Sequence, residues 1–472
     1  MNERDLAFLP AWQLGRLIKT KEISPVELTE LYIRRIEEFN PALNAFITIA
    51  ADYAIREAKL VEAKIAANDI SSSFFGVPIG IKDLELTSGI RSTMGSLVYE
   101  NYIPDRDTVV VERIRNSGQI ILGKTNTPEF GLSGTTENRL GEACRNPWNL
   151  ERTSGGSSGG SGSAVAAGLC PLTTGSDGGG SIRIPSSFCG IYGIKPTLGR
   201  IPRFGGLGKP SPNLTSQAGP MTRTVRDSAL LLDILAGYDK RDPYSLKDAP
   251  ANFADGLDLG IKGVKIAWSS DLGYAAVEKE TRDITYAAAK VFRDLGADID
   301  EPVLSLEHPM EAFLSIFAAN NYASYGDLMD SRNDMLTEYG RQNLELGRDV
   351  TGVDYARALL SVQIMRAKID ELMDTYDLLV TPTMAISAFP IDQQPESIDG
   401  YSVHSRWGYL PFTPVFNLTG QPAANVPCGF SHDGMPIGLH IVGRRGEEGL
   451  VLRASAAFEQ ARPWINILPP IC

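Results

Sequence analysis

A chain of 472 residues with 43% hydrophobic and 22% charged residues is long enough to bury a large core, and this composition excludes a disordered protein. The formal net charge of -12 argues against nucleic-acid binding, because affinity for phosphates comes mainly from Lys and Arg. No apolar run reaches the ~18 residues that a membrane span needs, and the N-terminus lacks a signal-peptide pattern. We therefore expect a cytoplasmic protein that acts without nucleic acid or membrane.

The first predicted elements are two helices and a strand. Ser24-Pro25-Val26-Glu27 is a capping box with proline at the first helical position, which predicts the start of a helix. A second helical pattern fills residues 51–67, and residues 74–82 then alternate apolar side chains in the manner of a strand. Lys82 is therefore expected at the end of a strand.

Helical and extended patterns continue to alternate along the chain, which is typical of α/β architecture. The polar segment 239–260, with two prolines, is the best candidate for an internal boundary. We predict a single large α/β domain with a mixed, twisted β-sheet core flanked by many α-helices. Further strands are predicted at 119–122, 264–268, 378–381, 424–430 and 438–442, and further helices at 108–115, 278–295 and from 447 onward.

Cysteines and histidines give no sign of a metal site or a disulfide. The five cysteines are scattered, odd in number and without C-x-x-C spacing, so we expect reduced thiols. The four histidines lie in the last third of the chain and form no H-E-x-x-H pair, so we expect no metal and no cofactor. We interpret them as structural or surface residues: His308, His404, His432 and His440.

Two segments rich in glycine and serine lie close together at the centre of the chain. They are residues 155–161 (GGSSGGS) and 177–181 (DGGGS). Successive glycines let backbone N–H groups point at one spot, which is how an oxyanion hole or a phosphate nest forms. Ser181 is the last residue of the second segment and follows its three glycines. It precedes a predicted helix start, whose dipole favours negative charge at the serine. The pattern indicates a serine that attacks a carbonyl group.

A serine nucleophile needs a base at neutral pH, and no histidine precedes His308. A lysine can replace histidine when burial keeps its amine neutral against an ordinary pKa of about 10.4. Lys82 follows an apolar strand and is therefore the candidate base.

The chain resembles the amidase signature enzymes over most of its length. The resemblance rests on residues 76–83 (GVPIGIKD), 123–126 (GKTN), 146–148 (NPW) and 417–422 (NLTGQP), and above all on the central glycine-rich block. In that family a lysine, a serine at a cis peptide bond and a second serine form the catalytic triad. The resemblance implies that Lys82, Ser157 and Ser181 take these roles.

The implied mechanism is a proton relay. Neutral Lys82 accepts a proton from Ser157, which accepts one from Ser181 as Ser181 attacks the substrate carbonyl. The resulting oxyanion would be held by backbone N–H groups. The expected donors are the N–H groups of Gly178, Gly179, Gly180 and Ser181.

Three neighbouring residues are interpreted as support for this loop: Ser158, Asp177 and Arg183. A carboxylate such as Asp177, placed before three glycines, commonly accepts backbone N–H bonds. Arg183 is either paired with a nearby carboxylate or exposed, and the sequence leaves both open.

Two other motifs in the sequence predict different chemistry. G-x-S-x-G around Ser158 would predict an α/β-hydrolase nucleophile, but the preceding residues 149–154 are polar and turn-like rather than an apolar strand. Residues 118–125 satisfy G-x-x-x-x-G-K-T, yet their middle is an apolar strand instead of a phosphate-binding turn. We discard both interpretations.

The resemblance implies a hydrolase of carbon–nitrogen bonds in small aryl or alkyl amides, with esters and carbamates (urethanes) as further candidate substrates. Two alternatives stay open: the glutamine-hydrolysing component of a tRNA-dependent amidotransferase, and a non-catalytic scaffold or binding protein with the same fold. Glutamine recognition in that component uses an Arg and an Asp, where this chain offers Gln342, Asn343 and Leu410. We therefore favour a stand-alone amidase of apolar or aryl substrates, acting as a monomer or homodimer.

The domain 1–472 divides into four predicted segments. They are N-terminal helices (1–70), a catalytic core with the signature (71–240), a helix-rich substrate-pocket segment (241–376) and a C-terminal return to the core sheet (377–472). Residues 307–372 and the aromatic stretch 401–416 are expected to shape the pocket. The aromatic candidates are Trp407, Tyr409, Phe412 and Phe416.

Overall fold

The computed structural model describes residues 2–67, 69–204, 214–248 and 252–472. Its strands are β1 (Phe46–Ile49), β2 (Pro78–Lys82), β3 (Ile120–Thr125), β4 (Arg145–Asn146), β5 (Asn149–Thr153), β6 (Leu172–Asp177), β7 (Tyr192–Lys195), β8 (Gln217–Thr222), β9 (Lys265–Trp268), β10 (Asp298–Asp300), β11 (Leu378–Pro382), β12 (Ser397–Ile398), β13 (Tyr401–Ser402), β14 (Ala423–Phe430) and β15 (Pro436–Gly443).

Eleven of these strands form one sheet in the order β1-β3-β2-β6-β8-β7-β14-β15-β11-β9-β10. Strands β3, β2 and β6 run parallel to one another, as do β11, β9 and β10, and the remaining pairs are antiparallel. The predicted α/β fold with a mixed sheet is confirmed.

The helices surround this sheet. They are α1 (Glu3–Ala7), α2 (Ala11–Lys19), α3 (Pro25–Leu43), α4 (Ala51–Ala66), α5 (Val109–Asn116), α6 (Gly159–Ala166), α7 (Arg183–Cys189), α8 (Val225–Leu235), α9 (Lys279–Ala289), α10 (Val291–Asp294), α11 (Met310–Tyr325), α12 (Asp327–Ser331), α13 (Glu338–Asp349), α14 (Gly352–Thr375), α15 (Pro414–Leu418) and α16 (Glu448–Ala461). Within the described ranges, no helix combines the length and the apolarity that crossing a bilayer requires.

Local sequence signals explain several element boundaries. Helix α3 begins at the predicted capping box, where Ser24 accepts hydrogen bonds from the backbone N–H groups of Val26 and Glu27. The helix predicted over 278–295 is divided into α9 and α10. Residues 149–154 were expected to be turn-like, and this expectation was wrong, because Asn149–Thr153 form β5 and pair with β4 in a small separate hairpin.

All four predicted segments contribute strands to the one sheet. The N-terminal segment, expected to be helical, also supplies the edge strand β1, and the helix-rich segment supplies β9 and β10. One cluster of buried apolar side chains surrounds the sheet, and a second packs α11, α13, α14 and α15 together. The segments are therefore parts of one domain, while their exact boundaries stay a prediction.

The centre of the sheet brings the candidate residues together. Strands β2 and β6 are parallel neighbours, and they end at Lys82 and Asp177. Since the carboxyl ends of parallel strands meet at one edge of a sheet, these two residues lie close together. Ser157 and Ser181 each lie just before a helix, α6 and α7, that packs against this part of the sheet.

Candidate active site

Lys82 ends a strand in which every residue is buried, so its amine is withdrawn from solvent. Its Nζ lies 2.8 Å from Ser157 Oγ, 3.0 Å from Ser176 Oγ and 3.2 Å from the Ser176 carbonyl oxygen. These partners are neutral oxygens, so none of them requires the amine to carry a charge. The arrangement suits an amine that exchanges a proton with Ser157.

The surroundings of Lys82 make its amine a usable base. Burial lowers the pKa of Lys82 to about 7, because desolvation penalises the ammonium form. Asp177 and Glu85 raise this pKa, while Arg203 lowers it together with burial. Near neutral pH a large fraction of Lys82 is therefore uncharged and able to accept a proton.

Ser157 and Ser181 line the same cavity. The Gly156–Ser157 peptide bond is cis, and the Ser157 side chain is buried. In the described part of the chain no hydrogen bond joins the two hydroxyl groups, but the Ser158 N–H donates to the Ser181 carbonyl oxygen at 3.2 Å. The backbone thus fastens the two serine-bearing loops to each other.

Ser158 faces the sheet rather than the cavity. Its hydroxyl donates to the Ser176 carbonyl oxygen and accepts from the Ser176 N–H, each at 3.3 Å. It also directly precedes α6. These contacts fit the supporting role expected of Ser158 and not the role of a nucleophile.

The loop that carries Ser181 is anchored by Asp177. The Gly180 N–H donates to Asp177 Oδ1 at 2.6 Å, and the Ile182 N–H donates to Oδ2 at 3.2 Å. The Gly180 N–H was expected to hold an oxyanion, but it is already bonded to Asp177. The candidate oxyanion donors are therefore the N–H groups of Gly178, Gly179 and Ser181.

Asp177 also forms a fully buried ion pair with Arg183. Arg183 Nε lies 2.9 Å from Asp177 Oδ2, and Nη2 lies 2.9 Å from Oδ1, which is a bidentate arrangement. Asn417 joins the pair, because it accepts from Arg183 Nη2 at 2.6 Å and donates to Asp177 Oδ1 at 2.9 Å. Of the two alternatives for Arg183, pairing is the correct one.

The charge of Asp177 is fixed by these partners. Burial alone would raise the pKa of the Asp177 carboxyl, but Arg183, Lys195 and the Asn417 hydrogen bond outweigh it and hold the pKa well below the ordinary range. Asp177 therefore stays ionised and keeps the loop in place at all ordinary pH values.

Beside the serines lies a cavity of about 410 Å³ whose lining includes five aromatic side chains. Phe313 and Phe317 of α11 stack on each other with ring centroids 5.1 Å apart, and Trp407 packs edge-on against both. Phe130 stacks on Tyr325 at 4.1 Å. The cavity thus presents flat apolar surfaces next to Ser181.

Comparison with known proteins places this geometry in a family. A model of the amidase family matches residues 27–452. The chain belongs to the amidase signature family. An acylamidase of Rhodococcus erythropolis is 38% identical over 474 residues, which cover 99% of this chain and 98% of that protein.

Two further relatives also align over nearly the whole chain. The crystal structure of a bacterial aryl acylamidase of the amidase signature family superimposes with a TM-score of 0.91 at 32% identity and covers 97% of each chain. A component of the Geobacillus thermodenitrificans glutamyl-tRNA(Gln) amidotransferase is 37% identical over 96% of this chain and 97% of that protein. The chain is thus an amidohydrolase by family.

The four histidines and the G-x-x-x-x-G-K-T segment do not line the cavity of this amidase signature chain. His440 is buried with its Nε2 3.1 Å from Arg183 Nη1, and burial holds its pKa well below the ordinary value. The G-x-x-x-x-G-K-T segment contains β3, as expected. No cluster of three or more His, Cys, Asp or Glu side chains that could hold a metal occurs among the described residues.

Several residues of the site were missed from the sequence. Ser176 contacts Lys82, and the parallel pairing of β2 and β6 was the signal that could have found it. Arg203 and Asn320 line the cavity although no local pattern marks them. Of the aromatic candidates, Trp407 lines the cavity. The other three are fully buried core residues: Tyr409, Phe412 and Phe416.

Proposed function

We propose that this protein hydrolyses small amides through an acyl-enzyme on Ser181, with Lys82 as general base and Ser157 as proton shuttle. The observation that carries the proposal is the 2.8 Å contact between Lys82 Nζ and Ser157 Oγ. Ser157 and Ser181 line one cavity, so the shuttle can serve the nucleophile when a carbonyl group is bound.

The first proposed step is attack of Ser181 on the substrate carbonyl with proton transfer to Lys82. Ser157 gives its proton to neutral Lys82 and takes the Ser181 proton as Ser181 Oγ bonds to the carbonyl carbon. The N–H groups of Gly178, Gly179 and Ser181 would stabilise the oxyanion.

The C–N bond then breaks as the proton held by Lys82 returns through Ser157 to the leaving nitrogen. Water attacks the resulting ester with the same relay as base. This attack releases the acid and restores Ser181.

The walls of the cavity suggest the substrate class. Stacked aromatic side chains favour flat or branched apolar groups, so we propose aryl and alkyl amides as substrates. Acylamidases are among the relatives that align over almost the whole chain, which supports this choice. We extend the proposal to esters and carbamates, because the same acyl-enzyme can form from them.

The amidotransferase component is the weaker alternative. Free glutamine carries an ammonium and a carboxylate group, and no described residue lining the cavity has a carboxylate to pair with the ammonium group. Gln342, Asn343 and Leu410 also lie outside the cavity lining. We therefore propose a stand-alone cytoplasmic enzyme, monomeric or homodimeric, that needs no nucleic acid.

A fluorophosphonate probe with intact-mass analysis tests the proposal against a non-catalytic scaffold. We expect one adduct on the wild-type chain, none on Ser181→Ala, and hydrolysis of at least one member of a panel of an anilide, an aliphatic amide and a carbamate. No adduct and no hydrolysis by the wild type would favour the scaffold. An adduct on Ser181→Ala would contradict Ser181 as the nucleophile.

A further inference from the structure

The described lining of the cavity beside Ser181 has one positively charged side chain and no negatively charged one. Among the described residues that line it, Arg203 is the only one with a charged side chain. The other polar groups of its lining residues are uncharged: serine hydroxyls, backbone groups, the amides of Asn320 and Asn321, the Tyr325 hydroxyl and the Trp407 indole N–H. A bound cation would meet no counter-charge here, whereas a bound anion would meet a guanidinium group.

Arg203 is held in place but has unused hydrogen-bonding capacity. Its backbone N–H donates to Asp242 Oδ2 at 2.9 Å, which fixes the residue beside the cavity. Its Nη1 is buried and has no hydrogen-bond partner among the residues that the structure describes. Leaving a charged donor buried and unpaired costs free energy, so an acceptor on a bound molecule would stabilise this guanidinium group.

Asn320 supplies a second unused donor on the same cavity. The side chain is only 7% exposed, and its Oδ1 accepts a hydrogen bond from the Tyr355 hydroxyl at 3.2 Å. That bond orients the amide, and in the described part of the chain the Nδ2 group is buried without a partner. Two residues from different parts of the chain therefore line one cavity, and each has a buried donor without an acceptor among the described residues.

We propose that the preferred amide substrate carries a carboxylate group away from the scissile bond, that Arg203 binds this carboxylate, and that Asn320 donates a second hydrogen bond to the substrate. This inference rests on the proposed amidase function and narrows its substrate class. A carboxylate provides up to four acceptor positions and the charge that a guanidinium group pairs with best. The aromatic walls would hold the apolar part of the same molecule.

Arg203 also influences the general base. Its positive charge lowers the pKa of Lys82, so a carboxylate bound to Arg203 would offset part of that effect. Substrates with and without a carboxylate should therefore be compared at pH 9, where Lys82 is neutral in either case. At that pH a difference in rate reports binding of the carboxylate and not the titration of Lys82.

The test uses three p-nitroanilides of one length: the mono-anilide of succinic acid, its methyl ester and the butyryl anilide. We expect the wild-type enzyme to show a kcat/KM about 10- to 100-fold higher for the carboxylate than for the methyl ester. In Arg203→Gln this ratio should fall to near one, and in Arg203→Lys it should be partly retained. Arg106→Gln, which removes an exposed arginine next to Asp105, is the matched control and should keep the wild-type ratio.

Asn320 is tested by a leucine, which has a similar branched shape, and by an aspartate, which has nearly the same volume. Asn320→Leu should lower the ratio several-fold, and Asn320→Asp should lower it further, because a second carboxylate would repel the substrate. A ratio that is unchanged in Arg203→Gln, or a wild-type enzyme that prefers the methyl ester, would overturn the proposal.

A binding measurement tests the carboxylate site at Arg203 separately from the proposed amide hydrolysis. Titration calorimetry of Ser181→Ala with the succinyl anilide should give a dissociation constant about 10-fold or more below that of the Arg203→Gln/Ser181→Ala double variant. Equal affinities would refute the role of Arg203 even if hydrolysis is observed. If neither the wild type nor any variant hydrolyses an anilide, but the affinity difference is present, the carboxylate site stands and the proposed hydrolysis does not.

Discussion

Lys82 Nζ lies 2.8 Å from Ser157 Oγ, and both side chains are buried at the edge where β2 and β6 end. The amine therefore has no aqueous shell to stabilise its charge, and its pKa falls to about 7. These properties support the proposal that Lys82 is the base that histidine provides in other serine hydrolases.

The pH dependence of kcat/KM follows from this contact. Only neutral Lys82 can accept a proton, so activity should rise as pH increases through about 7 and then level off. Measurement of p-nitroanilide hydrolysis from pH 5 to 10 checks this profile. Lys82→Ala should lose the rise and should retain more activity toward esters with good leaving groups than toward amides. Activity that falls between pH 6 and 8 would contradict a lysine base.

Alanine substitutions of Ser181, Ser157 and Ser158 should lower kcat by amounts that decrease in that order. Ser181→Ala removes the proposed nucleophile and should abolish turnover, and Ser157→Ala breaks the proposed relay and should lower kcat about 10²- to 10⁴-fold. Ser158→Ala should have the smallest effect, because its hydroxyl contacts Ser176 and not the cavity. Steady-state kinetics on one anilide rank the variants. A larger loss for Ser158→Ala than for Ser157→Ala would contradict the assigned roles.

The positions of Lys82 and Ser181 in the candidate site could be predicted from local signals in the sequence, whereas Ser157 was selected by the family resemblance. Alternating apolar residues place Lys82 at a strand end, and consecutive glycines mark the loop before Ser181. The hydrogen bond from the Gly180 N–H to Asp177 could not be predicted, because it depends on how the loop folds around the carboxylate.

Arg203 and Asn320 could not be predicted either. They reach the cavity through contacts between distant parts of the chain, and a single sequence carries no pattern for such contacts. The strand β5 escaped prediction for a related reason: its polar residues pair only with β4, outside the main sheet.

Removing the charge of Asp177 should destabilise the protein. In Asp177→Asn, Arg183 would remain fully buried without its counter-ion, which costs about 3–5 kcal/mol when one partner of a buried pair is lost. Urea unfolding followed by circular dichroism measures the difference. Asp105→Asn, at the exposed pair with Arg106, is the control and should have no measurable effect. A stability of Asp177→Asn equal to that of the wild type would show that the pair contributes nothing.

Glu459 should make the folded state less stable as pH rises. Burial raises the pKa of Glu459 to about 8, from an ordinary value near 4.5, although the Val225 N–H donates to it. Between pH 4.5 and 8 the unfolded chain has lost this proton while the folded chain keeps it, so stability falls across that window.

Glu459→Gln removes this dependence. The free energy of unfolding of this variant minus that of the wild type should be more than about 1 kcal/mol larger at pH 9 than at pH 5. Urea unfolding at both pH values measures the change, and Glu37→Gln, at an exposed position of α3, is the control. An equal difference between variant and wild type at the two pH values would contradict the raised pKa.

The contact between Gly179 and Phe313 couples the candidate oxyanion loop to the cavity wall. A Cβ atom on Gly179 would lie 2.5 Å from Phe313 Cζ, so an alanine there must displace either the ring or the loop. Gly179 is outside the set of residues with positive φ, so alanine suits its backbone conformation, and the expected effect comes from this contact. By contrast, Gly180 has a φ of 132°, and an alanine there would be strained in any surroundings.

Gly179→Ala should lower kcat/KM for an anilide about 10- to 100-fold, because displacement of an oxyanion donor weakens transition-state binding. Phe313→Leu shortens the side chain that blocks the new methyl group. The double variant Gly179→Ala/Phe313→Leu should therefore be more active than Gly179→Ala alone, even though Phe313→Leu by itself removes part of the aromatic wall. Kinetics of the four proteins form a double-mutant cycle. Additive losses would mean that the ring does not hold the loop, and that Gly179 acts independently of the cavity wall.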